Sequence, residues 1–202
     1  MSRPVQFRKR FVVIEGPNGV GKTAVAHALA ERLRRDASYP VVETREPSDS
    51  LLGRAIRDLE SSMPPMALAL ACAADRIDHL TREIEPNLAE GLVVCDRFLP
   101  SSLVLQRIDG LTLEEIWQLN SGVRTPDVTV FLDARPETLR DRLSLRPRHS
   151  RFEESTSPEI ELAFYRDARE FLATRGWPEV LVRTDGRKPD EVAAEIEVSL
   201  RN

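Results

Sequence analysis

Cysteine is nearly missing from this 202-residue chain: Cys72 and Cys95 stand alone, without C-x-x-C spacing or neighbouring histidines. That excludes a disulfide framework and a zinc site, and makes the cytoplasm the default location. Long apolar runs are also lacking. Nothing approaches the roughly 20 residues needed to span a bilayer, and the apolar segment after the basic start Met1–Arg10 is interrupted by a glycine loop before it reaches signal-peptide length. An excess of positive charge is absent too. The formal net charge of −4 excludes the basic field expected of a binder of polymeric nucleic acid or of a membrane surface. Lysine is the last scarcity: of 29 basic residues only Lys9, Lys22 and Lys188 are lysines and 26 are arginines, so a lysine inside a motif stands out.

What is present is an alternation of buried strands and helices, with 41% hydrophobic and 31% charged residues marking a soluble globule. Phe11–Ile14, Leu92–Cys95 and Val128–Leu132 are short continuous apolar runs, the mark of strands covered on both faces. Val41-Val42 opens another strand and Val180–Val182 forms a fifth. Between them the pattern predicts helices over Lys22–Arg35, from Pro64-Pro65 through Ile84 with a stop before Pro86, after Pro136, and over Pro189–Leu200. Such alternation implies an α/β fold: a five-stranded parallel sheet with right-handed crossovers, helices on both faces, and ligands beyond the carboxyl ends of the strands.

Directly after the first strand stands Gly16-Pro17-Asn18-Gly19-Val20-Gly21-Lys22-Thr23, which fits G-x-x-x-x-G-K-[ST]. Residues without side chains let successive backbone N–H groups curl around an oxyanion, and the helix that follows adds the positive end of its dipole. The spacing assigns Gly16, Asn18, Gly19, Val20, Gly21, Lys22 and Thr23 to ATP, with Lys22 on the β- and γ-phosphates and the Thr23 hydroxyl on Mg²⁺. There is no N-K-x-D for guanine, and the length leaves no room for a further mechanical domain.

Further landmarks are Thr44-Arg45-Glu46-Pro47, Ala74-Asp75-Arg76, Cys95-Asp96-Arg97-Phe98, the run Pro126–Glu137 and Ser150-Arg151-Phe152-Glu153. In this order the chain resembles the thymidylate kinase family of nucleoside monophosphate kinases, from about Phe11 to Ile196. The resemblance implies one P-loop kinase domain over residues 1–202, a three-layer sandwich with a short lid near 146–156, and transfer of phosphate from Mg²⁺·ATP to a nucleoside monophosphate. Arg97, Arg76 and Arg45 are expected on the acceptor phosphate, Asp96 with Thr23 on the metal, and Lys22, Arg97 and Arg151 on the transferring group. The dense basic stretch Arg146–Arg151 is the lid, with Arg148 and Arg146 as reserves for Arg151 and Arg148 on ATP. A cis Glu46–Pro47 bond and a homodimer packed through the long helices are further implications. His27, His79 and His149 receive no chemistry.

Measured against that family, the acceptor half departs. Cys72 stands where a phenylalanine stacks on thymine, Leu105 where a tyrosine closes over the sugar, Ser102 where a longer side chain reads the base edge, and Asn18 where an aspartate contacts the sugar. Two lost rings remove stacking worth about 0.5–1.5 kcal/mol each beyond area burial. The acceptor site therefore comprises Arg45, Glu46, Cys72, Arg76, Arg97, Ser102 and Leu105, and its substrate is expected to be a monophosphate other than, or besides, dTMP. Two alternatives stay open: a kinase for a free nucleoside or other small alcohol with Glu46 as base, and a non-catalytic ATP-binding regulatory module.

Overall fold

The computed structural model describes residues 7, 10–146 and 151–201. Five strands, β1 (Phe11–Glu15), β2 (Val41–Arg45), β3 (Leu92–Asp96), β4 (Val128–Asp133) and β5 (Glu179–Arg183), pair in parallel in the order β2-β3-β1-β4-β5. The helices are α1 (Lys22–Asp36), α2 (Leu51–Leu59), α3 (Pro65–His79), α4 (Glu85–Glu90), α5 (Leu99–Ile108), α6 (Leu113–Leu119), α7 (Pro136–Ser144), α8 (Arg151–Ser155), α9 (Pro158–Ala173) and α10 (Pro189–Leu200).

Strand periodicity divides the core in two. Val12, Ile14, Leu92, Val94, Val128 and Val130 pack with Val25, Leu29 and Leu33 of α1 and Val192 and Ile196 of α10. Phe11, Val13, Val93, Cys95 and Phe131 face the other way, onto Leu99 and Leu103 of α5 and Ala168 and Leu172 of α9. Both faces of the inner strands are covered, which is why they read as unbroken apolar runs. Thr129, buried inside β4, accepts a 2.8 Å hydrogen bond from Trp177 Nε1, so its hydroxyl is not stranded.

One expectation fails at Pro86. The helix does not stop there: α3 passes through a π-helical stretch, Leu80–Ile84, into α4, and the chain breaks only at Gly91, whose N–H donates to Asn87 O. The wider turn, closed by Glu85 N–H on Leu80 O, restarts the α ladder so that Pro86 falls in a first turn, where its missing N–H and its ring do no harm.

Because β1 lies between β3 and β4, its outgoing loop opens into the crevice where the strand order reverses. Register places Ile14 opposite Asp96 and Arg45 opposite Asp96, so the ends of β1, β2 and β3 deliver the phosphate loop and the Asp96-Arg97 step side by side.

Candidate active site

The loop from Gly16 to Thr23 joins β1 to α1 and depends on glycine at defined points. At Gly16 φ is +142°, and a Cβ would meet Leu132 O at 2.5 Å; at Gly21, the N-cap of α1, φ is +101°. Neither conformation suits a side-chain-bearing residue. Lys22 is buried, and its Nζ donates to Gly16 O at 2.6 Å and Pro17 O at 2.9 Å, which pins the ammonium inside the loop. Burial, reinforced by the nearby Arg97 cation, lowers the Lys22 pKa to about 7 against the pull of Asp96, Glu161 and Glu15.

Thr23 and Asp96 meet as expected: Thr23 Oγ1 donates to Asp96 Oδ2 at 2.5 Å. Asp96 Oδ1 is buried without a hydrogen-bond partner. An unsatisfied carboxylate oxygen beside a hydroxyl is a donor set that fits Mg²⁺, which takes one or two protein oxygens and completes its shell with water and phosphate.

Arg97 follows Asp96 in a left-handed conformation, φ +72°, the one non-glycine residue with positive φ among those described. Its N–H donates to Ile14 O, and its guanidinium reaches Asn18 Oδ1 at 2.8 Å and Ser101 Oγ at 3.1 Å. These direct partners are neutral and orient the cation, while the carboxylates of Asp96, Glu15 and Glu161 act on it through space. Strain of this kind persists where surrounding structure over-determines it, and here Glu15 does so. Its fully buried carboxylate accepts from Phe98 N (2.7 Å), Ser101 N (3.0 Å), Ser101 Oγ (2.8 Å) and Tyr165 Oη (3.2 Å), tying the end of β1 to α5 and α9. Burial raises the Glu15 pKa despite Arg97 and these hydrogen bonds. On α9, buried Glu161 accepts the Asn18 N–H at 3.0 Å, and burial raises its pKa against the opposing pull of Lys22.

Beside Arg97 opens a cavity of about 710 Å³ counting its mouth, walled by Arg76, Ser102, Cys72, Leu105, Gln106 and Phe152 among others. Arg76 is buried and engaged on every side: Nε donates to Glu46 Oε2 (2.8 Å), Nη1 to Asn120 Oδ1, and Nη2 to Ser102 Oγ (2.8 Å). Glu46 is held from behind by His79, 3.4 Å away, which is itself hydrogen-bonded to Thr44. The Glu46–Pro47 bond is cis. Asp75 accepts from Ser48 N, Ser48 Oγ and Ser50 Oγ, fixing the entrance to α2. Burial pushes the Cys72 thiol up to about 11, so it is a soft neutral wall. Gln106 is 3% exposed, and its Oε1 has no partner.

The three arginines expected to converge on a phosphate are therefore split. Arg97 and Arg76 share the cavity, but Glu46 neutralises Arg76. Arg45 lies outside it: it ends the edge strand β2, exposed, and pairs with Asp49 at 2.7 Å, a carboxylate four residues on that the spacing alone did not weigh. Arg151 begins α8, with Nη2 on Asp109 at 2.6 Å, Cζ 4.3 Å from the centre of the Phe152 ring, and Nε buried and unpaired. Arg146 pairs with Glu153 at 2.7 Å, and Arg148, with the rest of 147–150, lies outside the described residues.

A second cleft adjoins the other side of the phosphate loop, lined by Val20, Gly21, Val25, Arg142, Thr184 and Arg187. Arg142 is fixed there by Val20 O (3.0 Å) and Thr184 O (3.0 Å). Neither Arg142 nor Gln106, Glu15, Glu161 or Phe152 emerges from the sequence reading as a site residue. For two of them a signal existed. Glu15 is a carboxylate closing an otherwise apolar strand, as Asp96 is, and Gln106 lies four residues after Ser102 on one helix face.

The family model described as "Thymidylate kinase" matches residues 14–185. The thymidylate kinase of Synechococcus sp. (strain JA-3-3Ab) is 41% identical over 199 residues, 92% of each chain. A probable thymidylate kinase of Caldivirga maquilingensis is 42% identical over 167 residues, 79% of this chain and 81% of its own. The crystal structure of thymidylate kinase from Ehrlichia chaffeensis matches with a TM-score of 0.71 at 27% identity, covering 96% of this chain and 99% of that one.

Proposed function

Because the chain belongs to the thymidylate kinase family and is an ATP-dependent nucleotide kinase, we propose that its acceptor is a deoxynucleoside monophosphate with a thymine-type base, dTMP first, bound in the cavity beside Arg97. The observation that carries this is Gln106 Oε1, buried and unpaired in the wall of that cavity. A buried acceptor of that kind asks for an N–H, which thymine carries at N3 and cytosine does not. The departures at Cys72 and Leu105 cost stacking and leave base-edge recognition in place.

In this reading Arg97 holds the acceptor phosphate, since its hydrogen-bond partners Asn18 and Ser101 are neutral and orient it beside the cavity. Arg76, already balanced by Glu46, belongs to the base end rather than to the phosphate. The loop amides and the Lys22 ammonium take the donor's β- and γ-phosphates, and the cleft lined by Arg142, Val20 and Val25 takes its adenine. Thr23 and Asp96 would hold Mg²⁺, which supplies charge neutralisation across the β- and γ-oxygens when bound. The acceptor phosphate is already an anionic nucleophile, so no base is needed, and the chain's work is alignment and charge stabilisation. Arg151 joins by exchanging Asp109 for the transferring group. The alternative with Glu46 as base is disfavoured because both Glu46 oxygens are occupied by Arg76 and His79.

A second copy of the chain is the proposed partner. Met66, Leu70 and Ile77 form an exposed apolar stripe on α3, flanked by Leu52 and Leu59 of α2. The test of the activity is diphosphate formation from a panel of dTMP, dUMP, dCMP, dGMP and thymidine with ATP and Mg²⁺. dTMP is expected to lead, with dUMP behind it. Transfer to thymidine but to no monophosphate would reverse the reading.

A further inference from the structure

Two rings line the acceptor cavity among the described residues, Phe98 and Phe152. Phe98 is already used: the Arg76 guanidinium lies 5.4 Å from its centroid, and Phe11 meets it edge-on at 5.3 Å. Phe152 comes from α8, a different element from α2, α3, α5 and the loops that supply the rest of the wall. It is 4% exposed and packs on Ile56 and Leu68, with Cys72 and Leu105 against the same cluster. Those neighbours are aliphatic or soft, and none offers a flat face. A planar heterocycle held at its edge by Gln106 has one aromatic surface left to meet. Arg151 lies over the same ring, its Cζ 4.3 Å from the centre.

We infer that Phe152 is a specificity-determining residue for the acceptor: its ring is the aromatic wall of the base pocket, and through the Arg151 guanidinium stacked on it, base occupancy is felt by the cation next in sequence. This rests on the assignment of the cavity as the acceptor site. It extends that assignment to α8, which also carries Arg151.

Phe152→Leu keeps the apolar packing and removes the ring. The KM for dTMP is expected to rise roughly 3–10-fold, the range of one aromatic pair, with the KM for ATP within about twofold of wild type. The control is 2-deoxyribose 5-phosphate, which has the phosphate and sugar but no base. Its inhibition constant against dTMP is expected to be the same in both proteins. An unchanged dTMP KM, or equal shifts for dTMP and the baseless analogue, would overturn the inference. If wild type itself makes no diphosphate from dTMP, it is the acceptor assignment that fails, and the two failures are thereby told apart. Phe152→Trp supplies a measurement that does not depend on Leu being tolerated. Its emission is expected to change on adding dTMP, beyond any change from Trp117 and Trp177 in wild type, and to stay constant with 2-deoxyribose 5-phosphate. A silent indole would count against the inference as decisively as an unshifted KM.

Discussion

Thr23 Oγ1 donates a 2.5 Å hydrogen bond to Asp96 Oδ2, joining the first turn of α1 to the last residue of β3 and leaving Asp96 Oδ1 buried and unpaired. In the proposed reading that carboxylate would anchor a hydrated cation, so Asp96→Asn is expected to raise the Mg²⁺ concentration for half-maximal activity by about 10–100-fold. A Mg²⁺ titration at saturating ATP reads it. An unchanged midpoint would remove Asp96 from the metal site.

Lys22 gives a pH signature. Burial and Arg97 hold its pKa at about 7, far below an ordinary lysine, so well above pH 7 much of it is neutral before nucleotide arrives. A polyphosphate favours the ammonium form, so Mg·ATP binding takes up a proton, and affinity weakens as pH rises past 7. Calorimetry in buffers of different ionisation enthalpy is expected to give an uptake near zero at pH 6 that grows toward one proton at higher pH. Lys22→Arg, whose charge is fixed, is expected to abolish that growth. Uptake that does not vary with pH would contradict the assignment.

The fold was legible where burial writes itself into composition. Phe11–Ile14, Leu92–Cys95 and Val128–Leu132 sit between two helical layers and carry apolar residues at every position because both faces are covered. The phosphate loop was legible because its glycines answer to backbone geometry. Pro86 misled because its local penalty vanishes once a π turn resets the ladder, a tertiary choice without local signature. What Arg45 and Arg76 pair with was not legible, for another reason. A sequence shows where cations are, and the carboxylates that neutralise them, Asp49 and Glu46, are recognised only when the chain is folded. That Gln106 and Phe152 line the cavity was not legible, because amides and rings on helices usually signify packing and only the folded wall shows where they sit.

Glu15 carries no reaction step, yet it accepts four hydrogen bonds that position Phe98, Ser101 and Tyr165 around Arg97. Glu15→Gln puts an amide donor against groups that already donate. A loss of about 2–3 kcal/mol is expected, read as an earlier urea midpoint at unchanged slope. If the midpoint does not move, the carboxylate is not the clamp proposed.

Gln106→Leu tests the base edge. It preserves approximate volume, removes the unpaired Oε1, and leaves Arg97 and the loop untouched. kcat/KM for dTMP is expected to fall roughly 10–100-fold, while dCMP, which has no N3–H to offer, changes little, so the dTMP-to-dCMP ratio narrows. A parallel fall for both substrates would mean that Gln106 packs the cavity and does not read the base.

The exposed stripe on α3 tests the assembly. Leu70 and Ile77 are 51% and 52% exposed, two helical turns apart on one face, with Met66 extending the row toward the N-terminus of α3. Apolar side chains scattered singly need no explanation, but a row of this kind, with Leu59 of α2 also exposed, is where the proposed second copy would pack. The same helix carries Cys72, Asp75 and Arg76 on its inner side, so a neighbour packed against the outer side would brace the acceptor wall. Leu70→Glu with Ile77→Glu is expected to convert a dimer of about twice 22.8 kDa to a monomer in sedimentation velocity. Because α3 loses its brace, the KM for dTMP is expected to rise more than that for ATP. A wild-type protein that sediments as a monomer at micromolar concentration would rule out the dimer, and equal effects on both KM values would rule out the brace.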